Sequence, residues 1–273
     1  MSHEAAVKSN FPAMHALPRI IGFSILASLI LFAVLVPLIW GVDTGEQDRA
    51  ALLSGPTPGH PLGTDELGRD MLARLAAAVG LSIGFALLSV IAAAIPGILL
   101  GVLAGWTGGF IDKCLSLLSA LFLVLPGLLW VLLVAAISPG NLLAVYGAVV
   151  LVLWAEYLRM TRALTRTVLA SPAVADSHLP GHGPLYVIRR QVWPELSSRL
   201  VSTSAFAAAS AILALATLAY LGAGVSPPTA ELGLMITQLM PYYSAAPLSF
   251  ALPILVIFLT VLSLLMIGSG RRP

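Results

Sequence analysis

The sequence predicts an all-α integral membrane protein with six transmembrane helices and both termini in the cytoplasm. Three observations lead there. The 273 residues are 59% hydrophobic and only 10% charged, which leaves too little polar surface for a water-soluble chain of that length. Six stretches approach the roughly 20 apolar residues that a spanning helix needs. The basic residues are also unevenly divided between the segments joining those stretches. With the N-terminus inside, eleven of the fourteen fall on inner segments, and only Arg49, Arg69 and Arg74 lie outside. Such an excess marks the cytoplasmic side.

Residues 1–19 form a cytoplasmic N-terminal segment with Lys8 and Arg19, and residues 20–273 form the transmembrane domain. Ile20 to Trp40 carries no charge, is too long for a signal-peptide core and lacks a clean small-residue cleavage site, so it reads as an uncleaved first span. An outer loop over 41–78 holds six of the twelve acidic residues, its polar part ending at Leu75. Val79 to Gly105 is the second span, with a kink expected at Pro96-Gly97. The third runs from Cys114 to Ile137 and is interrupted at Pro126-Gly127. Ser138-Pro139-Gly140-Asn141 is a tight turn, and Leu142 to Leu158 is the fourth span, with Trp154 and Tyr157 near the interface. A cytoplasmic loop over 159–199 carries six arginines; Pro180, Gly181, Gly183 and Pro184 break it into two short helices joined by a turn. The Ala-rich fifth span, Leu200 to Gly222, suits close helix packing. An outer loop over 224–246 precedes the sixth span, Pro247 to Ile267.

Little in these segments resembles catalytic chemistry. The lone Cys114 excludes an internal disulfide and reads as a buried, inert thiol. Neither Lys8 nor Lys113 sits in a glycine-rich phosphate loop, so no nucleotide site is expected on this chain. Asp176, Ser177 and His178 are adjacent in a loop, whereas a hydrolytic triad is assembled from separated positions. His178 and His182 lack a third ligand and read as a surface pair, and His60 as a loop histidine. No metal site and no catalytic residue is assigned. Glu156 is the one acid within an apolar span. Either it lines a translocation path, or it reaches the interface and pairs with Arg159 or Arg162, the preferred reading for a helix-end charge.

Three stretches, in order, resemble one family. His60 to Leu75 (HPLGTDELGRDMLARL) resembles the Leu-Gly-Thr-Asp-x-x-Gly-Arg-Asp signature before the second span of dipeptide, oligopeptide and nickel ABC-transporter permeases. Trp154 to Arg162 (WAEYLRMTR) is similar to that family's Tyr-x-Arg-x-x-Arg ending of span four. Ala219 to Ile236 (AYLGAGVSPPTAELGLMI) is similar to its glycine- and proline-rich motif after span five. Within the first of these, Arg69 and Asp70 are expected to pair and to cap the second helical span rather than to touch cargo.

The resemblance implies a type I ABC importer permease in a bacterial inner membrane. It implies a homologous permease as heterodimer partner, two cytoplasmic ATPases carrying ATP-Mg, and an extracytoplasmic substrate-binding protein. No cofactor on this chain and no nucleic-acid partner is implied. The loop over 159–199 then corresponds to the family's coupling segment, which inserts into an ATPase groove and carries Val174, Ala175, Asp176, Ser177, His178, Gly181, Leu185 and Pro194. Gly181 occupies the family glycine position, while the family glutamate position holds Ala175 with Asp176 beside it. This departure leans toward the nickel and metal-chelate branch over the short-peptide branch. The alternative is a secondary transporter driven by an ion gradient, which calls for intramembrane acids or repeat-related broken helices. An intramembrane hydrolase would need His or Asp at depth in the spans, which have neither.

Overall fold

The structure, a computed structural model, describes residues 12–171 and 183–269, with side chains from Leu17. Every extended element among the described residues is a helix. In chain order these are α1 (Pro12–Trp40), α2 (Met71–Thr107), α3 (Gly109–Val124), α4 (Gly127–Ile137), α5 (Leu142–Leu169), α6 (Pro184–Tyr220), α7 (Leu232–Leu239) and α8 (Pro247–Gly268). A π-helical turn, Ile188–Val192, lies within α6.

The core is the pairing of α2 with α5, and glycine makes it close. A Cβ on Gly97 would stand 2.5 Å from the Tyr157 Cβ, one on Gly101 2.7 Å from the Thr161 Cβ, and one on Gly105 2.7 Å from the Thr165 Cβ. Three glycines at four-residue spacing thus let the two backbones approach as small-residue stripes do in membranes. Each partner lies sixty residues after its glycine, so the two helices run in the same direction. The chain between Thr107 and Leu142 must therefore return across the membrane. α3 and α4 supply that return as one span bent by 77° at Leu125-Pro126. Among the described residues, five helices are long and apolar enough to cross alone, and the bent pair, taken as one span, makes a sixth. The bend is fastened by Trp130, whose indole N–H donates to the Phe122 carbonyl at 3.0 Å across the break, pairing a group that a broken helix leaves free.

α1 and α8 close the bundle. The Arg19 Nε donates to the Ile267 carbonyl at 3.2 Å, and Gly22 lies against the Ser263 carbonyl. The start of α1 and the end of α8 therefore share one face, the cytoplasmic one by the distribution of arginine and lysine.

Several boundaries differ from the sequence expectation. α1 begins at Pro12, and α2 begins at Met71, so the first outer loop ends at Asp70 rather than at 78. α2 passes Pro96-Gly97 without a break. The arginine segment 159–199 is mostly helical, because α5 continues to Leu169 and α6 starts at Pro184. Against a hydrocarbon layer of about 30 Å, α5 is about 42 Å long and α6 about 56 Å. Both therefore extend past the bilayer, carrying their arginines into water. Trp154 and Tyr157 are buried in the bundle instead of at the interface, and Cys114 is exposed rather than buried.

Candidate translocation site and its supports

Three regions bear on function: an outer polar cap, a cavity within the bundle and the cytoplasmic helix ends. In the cap, the first motif folds the loop back on itself. Gly63 (φ +79°) and Gly68 (φ +77°) take left-handed conformations, and a Cβ on Gly68 would collide with the Asp48 carbonyl at 1.9 Å. The Thr64 hydroxyl accepts from the Ser54 amide at 2.9 Å and donates to the Ala51 carbonyl. Asp70 caps α2, accepting from the Ala73 amide at 2.8 Å, and its other oxygen meets His60 Nδ1 at 2.9 Å. Arg69, expected to pair with Asp70, instead binds Asp65 (2.6 Å) and Glu66 (2.8 Å). Arg74 also lies 3.2 Å from Asp65, so both buried guanidinium groups share one carboxylate.

Gln238 of α7 accepts from Arg69 (3.4 Å) and Arg74 (3.2 Å), fastening the second outer loop to the first. That loop, read from the sequence as an outer loop over 224–246, contains α7. Glu231, fully buried, caps it by accepting from the Leu234 amide at 2.8 Å. α7 approaches α6 so closely that a Cβ on Gly233 would lie 2.1 Å from the Ala216 carbonyl. Burial pushes the Glu231 carboxyl above its ordinary range, against the lowering effect of the α7 amides. Glu66 is raised as well, by burial and then by the adjacent Asp65 charge.

The cavity lies between α4, α5 and α6 and has a volume of about 330 Å³. The α3–α4 break opens it, with Gly127 on its wall against Val152, and small residues of α6 (Ser210, Ala211, Ala214) leave the space opposite. Glu156 lines it. About 1.7 turns of helix, about 9 Å, separate Glu156 from Arg162, and about 21 Å separate it from the outer end of α5. The expected pairing with Arg159 or Arg162 is absent. Arg162 is taken by Asp112 of α3, with Nη2 to Oδ2 at 2.8 Å and Nε to Oδ1, and Arg166 binds the same carboxylate. No ion pair forms at Glu156 among the described residues.

Val174, Ala175, Asp176, Ser177, His178 and Gly181 lie outside the described residues, as does His182. Leu185, 77% exposed, and Pro194 stand in the cytoplasmic part of α6. No group of three or more His, Cys, Asp or Glu that could hold a metal occurs among the described residues. Sequence reasoning missed Asp112, whose signal was its standing as the only acidic residue between Asp70 and Glu156, in the first turn of α3. It also missed Gln238 and Glu231, which carry no periodic signal.

A six-span bundle with a polar outer cap, an internal cavity and arginine-rich helix ends projecting inward defines a membrane transport subunit. Residues 97–269 match the family described as binding-protein-dependent transport system inner membrane component, and the chain belongs to that family. It is 36% identical over 257 residues to the di/tripeptide transport system permease protein DppC of Pseudomonas aeruginosa, covering 92% of this chain and 85% of that one. It is 29% identical over 256 residues to the nickel transport system permease protein NikC of Escherichia coli K12, covering 92% of each. A structure of the MetNI methionine ABC transporter in inward-facing conformations shares the fold, with a TM-score of 0.55 at 16% identity over 74% of this chain and 98% of that one. The chain is a multi-pass inner-membrane permease component of an ABC importer, and ATP hydrolysis belongs to separate subunits.

Proposed function

We propose that this chain is the permease of an importer for short peptides, with nickel and metal chelates as the second cargo class, and that it works as a heterodimer with a homologous permease. Two ATPases holding ATP-Mg and an extracytoplasmic binding protein complete the assembly. The observation that carries the cargo reading is the 36% identity to a di/tripeptide permease, against 29% to a nickel permease over the same share of the chain. Purifying the tagged chain from its native membrane and identifying its companions by mass spectrometry tests the assembly. A second permease and two ATPases are expected; recovery of the chain with only copies of itself contradicts the heterodimer.

Coupling in this reading runs through residues 174–194. α5 and α6 extend past the bilayer, so a segment seated on an ATPase acts on two long levers. Closure of the ATPase pair then biases the helices between two packings, with ATP supplying the differential binding. Val174, Ala175, Asp176, Ser177 and His178 form the seated part, Gly181 makes the turn, and Leu185 and Pro194 lead into α6. Gly181→Val should leave the protein inserted while abolishing ATPase stimulation by loaded binding protein. Unchanged stimulation would remove Gly181 from the coupling role. Glu156, on the cavity wall, belongs to the path the cargo takes.

A further inference from the structure

The cavity between α4, α5 and α6 contains an acid that the described chain does not neutralise. Its wall is apolar apart from Glu156 and the hydroxyls of Ser210 and Thr217, and the Thr217 hydroxyl already donates to the Leu213 carbonyl at 2.6 Å. No Arg, Lys or His lines it. Two arginines stand one to two turns further along the same helix, yet Arg162 turns to Asp112 and Arg159 makes no ion pair among the described residues. An ionised carboxylate against an apolar wall inside a membrane is costly unless a counter-charge or water meets it. The carboxylate is accessible, at the inner end of a space wide enough for a small molecule, and its charge is left for a visitor.

We propose that Glu156 is a specificity-determining residue of the translocation path, receiving the protonated amine of the cargo as it crosses. The chemistry favours an ammonium over a bare metal ion. Ni²⁺ takes several nitrogen or oxygen ligands in a defined geometry, and a single carboxylate in a cavity with two separated hydroxyls does not supply them. One ammonium and one carboxylate form a complete charge-assisted pair, made tighter by the low dielectric of the wall. The side chain thus adds a second test of charge after whatever selection precedes entry. This inference rests on the peptide-importer reading and goes further in naming the group recognised and the residue that recognises it.

The test uses the full complex of both permeases, the ATPases and the binding protein in proteoliposomes, with alanyl-alanine and N-acetyl-alanyl-alanine as probes. Uptake is expressed per ATP hydrolysed, so that altered loading or stimulation does not masquerade as altered passage. The wild type should move the free-amine peptide at least about 10-fold better per ATP than the acetylated one, from the worth of one desolvated ion pair. In Glu156→Gln that preference per ATP hydrolysed should collapse, and Glu156→Asp should restore most of it. An unchanged preference in Glu156→Gln overturns the proposal. So does an equal loss for both probes together with reduced recovery of the second permease, which would make Glu156 a partner of that subunit. Uptake of Ni²⁺ lost in Glu156→Gln while alanyl-alanine uptake persists assigns the carboxylate to a metal instead. Failure of the wild-type complex to move alanyl-alanine at all overturns the peptide-importer reading, a result distinct from a lost preference.

Discussion

Asp65 is the one carboxylate shared by two buried arginines, and among the described residues its removal leaves Arg74 without an ionic partner and Arg69 with Glu66 alone. Arg69 and Arg74 are each 1% exposed; Glu66 reaches only Arg69, and Gln238 offers neutral oxygen to both. Leaving a buried ion without its partner costs about 3–5 kcal/mol, so Asp65→Ala should lower the melting temperature of the detergent-solubilised protein sharply. Glu231 makes the opposite prediction. Its carboxyl is raised by burial, so the folded state holds the proton more firmly than the unfolded state. That contribution is fully present below the ordinary carboxyl range and is lost as pH rises through the raised value. Glu66 shifts in the same direction. Glu231→Gln keeps an oxygen for the Leu234 amide and removes the ionisation. The fall in melting temperature from pH 5 to pH 8 should therefore be smaller in the variant than in the wild type. An equal fall would show that Glu231 does not titrate in that window.

Pairs of helices carry the next level of organisation, and the glycine stripe of α2 is the most exacting contact. At Gly101 even a methyl would stand 2.7 Å from the Thr161 Cβ and 2.8 Å from the Leu158 carbonyl, whereas at Gly84 it would meet nothing within 4 Å. Gly101→Ala should destabilise by the about 1–3 kcal/mol typical of overpacking. Gly84→Ala should be neutral or gain up to about 1 kcal/mol from helix propensity. Thermal melts of the two variants side by side check this, and equal effects would contradict the parallel α2–α5 contact. The spans themselves were legible in the sequence because apolar length is a one-dimensional signal. Their pairing was not. Pro96-Gly97 reads as a kink until the register with Tyr157 shows that Gly97 is there for closeness. The helical continuation of α5 and α6 was also hidden, since arginine marks the aqueous side without distinguishing loop from helix.

Over the whole molecule, the residues that reveal the family and those that face the cavity are largely different. Gly63, Thr64, Asp65, Gly68, Arg69 and Asp70 fold the outer loop, Tyr157 and Arg162 join helices through Ser204 and Asp112, and Gly233 and Glu231 seat α7. These are demands of architecture, which is why three short motifs were enough to reveal the transport class from the sequence. The cavity was not legible, because it arises where a broken helix, a glycine and small α6 side chains converge from distant parts of the chain. Glu156 was visible as an anomaly, but its lack of an ion-pair partner among the described residues follows only from Arg162 being held by Asp112 in space. In this reading, transport through the bundle is driven by ATP on partner subunits. Uptake of alanyl-alanine by the reconstituted complex, measured with and without ATP on the cytoplasmic side and with ion gradients collapsed by ionophores, tests it most directly. Uptake should need ATP and binding protein and survive the loss of every gradient. Uptake that proceeds without ATP and stops when a gradient collapses would contradict it and make the chain a secondary transporter.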